Sequence, residues 1–123
     1  MIITAWKRVV LDNFAAFSGR ATRGEYWWFL LASTLLFVVL FALTLVVGSS
    51  LFLLIWALYN VVVLVPNIAV SFRRIHDTGR SGWWLFVGFV PVVGSVALVV
   101  LLALPGDADA NKYGPPPEGL RVA

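Results

Sequence analysis

Cysteine is absent from the chain. Its absence excludes a disulfide framework, a thiolate nucleophile and a cysteine-based zinc site, and leaves the redox compartment open. Charge is scarce as well. Of 123 residues, 12% are Asp, Glu, Lys or Arg and 61% are hydrophobic, whereas a soluble domain is roughly a quarter charged and half apolar. So few charges indicate a chain whose natural solvent is lipid. There is one histidine, so no second imidazole can complete a proton relay or a histidine metal pair.

What is present in quantity is uninterrupted apolar sequence. Trp27–Val47, Leu51–Phe72 and Trp83–Leu104 each exceed 20 residues without a formal charge, and each can cross a hydrocarbon core of roughly 30 Å at about 1.5 Å per residue. The first run is too long for the core of a secretory signal peptide and reads as a retained anchor. The expected fold is an all-α integral membrane protein with three transmembrane helices, preceded by an amphipathic interfacial helix and followed by an extended Pro-rich tail. Its parts are residues 1–20 (interfacial helix), 21–106 (bundle, with spans at about 27–47, 51–72 and 83–104) and 107–123 (polar tail). In the first part, Trp6, Val10, Phe14 and Phe17 recur at helical spacing, with Lys7, Arg8 and Asp12 elsewhere on the wheel, a pattern suited to the membrane surface.

Gly48, Ser49 and Ser50 separate the first two spans, and so short a turn dictates an antiparallel helical hairpin. Basic residues gather before the first span and after the second, which places the N-terminus and the 73–82 loop on the cytoplasmic side. A third complete crossing delivers the tail to the opposite face. Gly88, Pro91 and Gly94 interrupt that third run, and a re-entrant segment is the competing topology.

The charges concentrate in two related stretches, "GRATRGEYWW" (19–28) and "RRIHDTGRSGWW" (73–84). Each carries Gly-Arg and closes on a tryptophan pair, Trp27 with Trp28 and Trp83 with Trp84, as expected of helix starts at one aromatic belt. Thr22 with Glu25 fits a capping box and Ser81 a further cap. Helix starts favour anions, and arginine forks bind phosphate oxygens in pairs. Arg20, Arg23, Arg73, Arg74, Arg80 and His76 are therefore the candidate anion or lipid-headgroup residues, with Glu25 and Asp77 orienting them. Ordinary anchoring and helix-end neutralisation explain the same arginines without a ligand. His76 beside Asp77 lacks a nucleophile or partner base, so no catalytic residue is assigned; its charge can change near neutrality and would make the cluster pH-sensitive.

Asn60, Asn67 and Ser71 form a polar stripe on the second span. In lipid such groups fix helix packing or line a polar path, and three helices enclose a path only by self-association. Gly88, Pro91 and Ser95 make a small-residue face on the third span. In the tail, Asp107, Asp109, Asn111 and Glu118 mimic a calcium loop, but Lys112 stands where its glycine is required, so no metal is expected.

With "FSGRATRGEYWWF", "FRRIHDTGRSGWW", a Pro-x-x-Gly in the last run and "PGDADANKYGPPP", the chain resembles the DUF805 family over nearly its whole length. The family pattern commonly has an aspartate between the closing prolines, where Pro116 stands here. The resemblance implies a bacterial inner (cytoplasmic) membrane location and a compact helical bundle, and brings no activity, substrate or cofactor. The expectation is a non-enzymatic protein without cofactor or nucleic-acid partner, recognising an anionic membrane lipid or an acidic partner segment. The alternatives are a component of an oligomeric small-solute transporter or channel, and an assembly factor for a larger membrane complex.

Overall fold

The computed structural model describes residues 2–115. Their regular structure is helical, apart from one isolated bridge between Asn111 and Gly114. The first long helix, α2, spans Arg23–Val47. Thr22 starts it from extended backbone, its hydroxyl accepting the Glu25 N–H at 3.0 Å, which satisfies one orphan donor of the first turn. Gly48 ends it in the left-handed region at φ 77°, donating its N–H to the Thr44 carbonyl; this is the conformation glycine adopts without penalty. Helix α3, Leu51–Asp77, follows at once. The two lie antiparallel, with Phe37 and Trp56 5.2 Å apart towards the turn and Ala21 donating its N–H to the Arg73 carbonyl at the far end. The hairpin read from the short turn is the hairpin formed.

In their most apolar windows α2 and α3 are only 6% and 11% buried. A soluble core helix would bury most of such a window, so this apolar surface is built to face lipid.

The N-terminal segment is helical over Ile2–Lys7 (α1) and continues as a π-turn over Arg8–Asp12. Its axis follows α2: Ile2, Ile3 and Trp6 lie against Ala32 and Leu35, while Arg8 reaches Glu25 at 3.7 Å. The helix therefore runs along the hairpin instead of lying flat across its end. The helical segment is also shorter than the Trp6–Phe17 pattern: it stops at Asp12, so Phe14 and Phe17 lie beyond it and are exposed, while Ala5, Val9 and Val10 are buried against the hairpin. Trp6 donates to the Tyr59 hydroxyl at 3.0 Å, which also meets Ser33 at 2.8 Å. Val9, Val10, Ala21, Phe29, Val63 and Val70 form the core beneath.

The third apolar run corrects an expectation. It is not one crossing helix but a 3-10 segment over Gly82–Phe89, a turn at Val90–Val92, and α4 over Val93–Ala103 packed back on it. Gly82 lies under Phe72, and the Leu102 and Leu104 carbonyls at the other end accept from Arg74. Both ends of the run thus sit at the end of α3, and residues 105–115 return there instead of emerging opposite. At about 2.0 Å per 3-10 residue and 1.5 Å per α residue, the 8- and 11-residue arms each extend roughly 16 Å, half a bilayer core. Pro91 lacks the N–H to continue a helix, and a Cβ at Gly94 would run into the Val87 carbonyl, so only glycine lets the arms close. Gly88 of the expected small-residue face packs internally on Leu98. Gly94→Val is expected to overpack this turn and lower stability by about 1–3 kcal/mol. A thermal melt in detergent checks it; an unchanged midpoint would argue against the folded-back arms.

Candidate functional site

The charged residues converge where the start of α2, the end of α3 and the end of α4 meet. Arg74 stands at the centre, with no exposed surface. Its Nε donates to the Leu102 carbonyl at 2.9 Å and its Nη1 to the Asp77 carboxylate at 2.8 Å and the Ala21 carbonyl at 3.2 Å; its Nη2 bonds to the Leu104 carbonyl. Trp27 adds its indole N–H to the same Leu102 carbonyl at 3.2 Å. The Leu102 and Leu104 carbonyls belong to the last turn and cap of α4, where a helix leaves acceptors unsatisfied and carries the negative end of its dipole.

Arg20 closes the tail over this centre. Its Nε donates to Asp77 at 2.8 Å, and its two amino groups bond to the carbonyls of Asp77, Asp107, Asp109 and Gly114. The Asp107 N–H donates to the Asp77 carbonyl at 2.7 Å, and the Asn111 amide reaches the His76 carbonyl and the Asp107 carboxylate. Tyr113 stacks on the His76 ring at 4.0 Å and 3°, while His76 Nδ1 meets the Gly19 carbonyl at 3.0 Å. Residues 105–115 are consequently folded onto the bundle rather than extended; Glu118 and the rest of the tail lie outside the described residues.

Arg73 points to the other side. Its Nη1 donates to Glu25 at 2.6 Å, yet its Nε and Nη2 are buried without a hydrogen-bond partner. Arg23 and Arg80 are partly exposed. Trp83 and Trp84 are exposed at the same end, 71% and 51%, with Trp83 edge-on to Phe72 at 6.3 Å; Trp27 and Trp28 are half-buried.

All the arginines expected to cluster do gather at one end, but their surroundings differ from the expected ones. Two helix ends, of α3 and α4, meet one α-helical start there, so the local dipoles call for cations. Arg20 and Arg74 supply these and are internally engaged. Asp77 is their buried counter-charge and Glu25 is that of Arg73, so neither carboxylate forms the rim of an open site. The polar stripe also divides. Ser71 is buried and bonds back to the Asn67 carbonyl at 2.8 Å, whereas the side chains of Asn60 and Asn67 are exposed. Sequence reasoning missed the roles of Tyr113, Asn111 and the Leu102 and Leu104 carbonyls. No periodic signal marks them, since they matter only through the fold-back.

The fold and this charged end define a multi-pass helical membrane protein. The chain belongs to the DUF805 family, described as protein of unknown function, whose model matches residues 14–115. It is similar to inner membrane protein YhaI of Escherichia coli K12, 38% identical over 113 residues that cover 92% of this chain and 95% of that one. It is also similar to inner membrane protein YhaH of the same organism, 35% identical over 116 residues, covering 92% and 96%. No solved structure matches the chain.

Proposed function

We propose that this is a non-enzymatic inner-membrane protein whose charged end, at the cytoplasmic face, holds an anionic lipid headgroup at Arg73. The observation that carries the reading is the pair of buried N–H groups on Arg73 with no acceptor. A buried guanidinium half paired is costly, and such groups in native proteins are met by water, an ion or a ligand. Arg8, Arg23 and Arg73 outnumber Glu25 and Asp12 in this region, which favours an anion, and the placement with the basic residues inside follows the usual charge bias of short loops. A non-enzymatic role agrees with the state of the one histidine. His76 is stacked on Tyr113 and tied to Gly19, and its neighbour Asp77 is engaged by two arginines, which leaves no base beside a nucleophile.

Arg73→Lys keeps the charge opposite Glu25 and removes the planar fork. Native mass spectrometry of the detergent-purified protein is expected to show anionic phospholipid adducts reduced roughly tenfold in this variant, with Lys7→Ala, an exposed charge, close to wild type. Equal retention in all three proteins would mean that Arg73 is architectural.

A further inference from the structure

Helix α3 carries an exposed stripe beside the groove that it shares with α2. Leu53, Ala57, Asn60, Leu64 and Asn67 are spaced four, three, four and three residues apart, and all five are exposed. This is the period of a left-handed helix pair, in which every such residue returns to the same seam. Two of the five are amides, placed where lipid tails offer no hydrogen bond. Asn60 uses one N–H on the Trp56 carbonyl of its own helix at 2.8 Å; the Asn67 side chain has no partner among the described residues. Asn67 lies ten residues from Asp77, about 15 Å along the helix, near the middle of a bilayer core. There an unpaired amide costs more than anywhere in water.

We propose that two copies of this chain associate side by side through α3, each amide pairing with the same amide of the second copy across a twofold axis. The complementarity of partial charge selects this occupant. A carboxamide carries donor and acceptor together, so it is its own complement, and a second copy inserted the same way presents amides at both levels, seven residues apart. Parallel insertion makes the axis perpendicular to the membrane, the symmetry of an isologous dimer. Within the seam Asn60 and Asn67 occupy equivalent heptad positions, where asparagine sets register in helix pairs, and Ala57 lets the helices approach closely. Both amides also line a cavity of about 370 Å³ between α2 and α3, together with Phe29, Phe37 and Trp56, which leaves room for the second helix's side chains. The pairing rests on α3 alone and is independent of any headgroup at Arg73.

Because the chain has no cysteine, one introduced thiol reports one contact. Full-length Ala57→Cys, Leu64→Cys and Val62→Cys variants would be oxidised in membranes. Val62 is exposed on the opposite face of α3. The first two are expected to form disulfide-linked dimers and the third not. Adding Asn60→Leu with Asn67→Leu is expected to weaken association at least about tenfold. The proposal is overturned by a monomer with no cross-link at 57 or 64, by equal cross-linking at 62, by cross-links to a different protein only, or by a dimer that persists without the asparagines.

Discussion

Arg74→Met is expected to lower the stability of the folded chain by about 3–5 kcal/mol, the usual result of removing one partner from a buried, hydrogen-bonded charge pair. Methionine matches the length of the aliphatic stem, so the loss is electrostatic and not a void. It strands the Asp77 carboxylate with Arg20 alone and leaves the Leu102 and Leu104 carbonyls without the guanidinium that meets them. Since these bonds hold the end of α4 and the returning tail, the segment at 105–115 should become open to protease before the α2–α3 hairpin melts. Denaturant titration in detergent with limited proteolysis reads both effects. A change under about 1 kcal/mol with the tail still protected would show that Arg74 is not the tie between α3 and α4.

Asp77→Asn should be at least as damaging. One carboxylate serves two arginines, through Oδ1 to Arg20 Nε and Oδ2 to Arg74 Nη1, each at 2.8 Å, and both side chains are almost wholly buried. The amide keeps the shape and removes the charge, so two guanidinium groups face each other uncompensated. The expected loss is again about 3–5 kcal/mol, measured by the same titration. The effects should not add. Arg20→Met, Arg74→Met and Asp77→Leu combined remove the whole charged set and are expected to recover much of the loss, as neighbours in one network do. If the triple variant is less stable than every single one, the arginines act mainly by capping carbonyls, and their charge balance is secondary.

These expectations assign Arg20, Arg74 and Asp77 to the architecture and leave Arg73 as the arginine with unmet capacity. Their adjacency in sequence conceals this. On a helix, neighbours point about 100° apart, so Arg73 turns to Glu25 on α2 while Arg74 turns to the end of α4. Replacing Arg73 and Arg74 together would therefore confound a binding residue with a folding one, whereas Arg73→Lys separates them.

The sequence by itself determined the solvent, the α2–α3 hairpin, the cap at Thr22 and the gathering of charge at one end. Hydropathy is a property of each residue in turn, a glycine followed by two serines leaves the chain one way to go, and a threonine three residues before a glutamate caps its helix locally. It also carried the family pattern, in "RRIHDTGRSGWW" and "PGDADANKYGPPP". Only the tertiary structure decided that the third apolar run folds back. Twenty apolar residues satisfy a full crossing and two half-length arms equally, and the choice rests on whether the Gly94 backbone can approach Val87. It alone decided, too, which arginines are open and which are engaged. Arg20 meets the Asp109 carbonyl across 89 residues of chain, and a charge's role depends on what faces it, which neither composition nor spacing records.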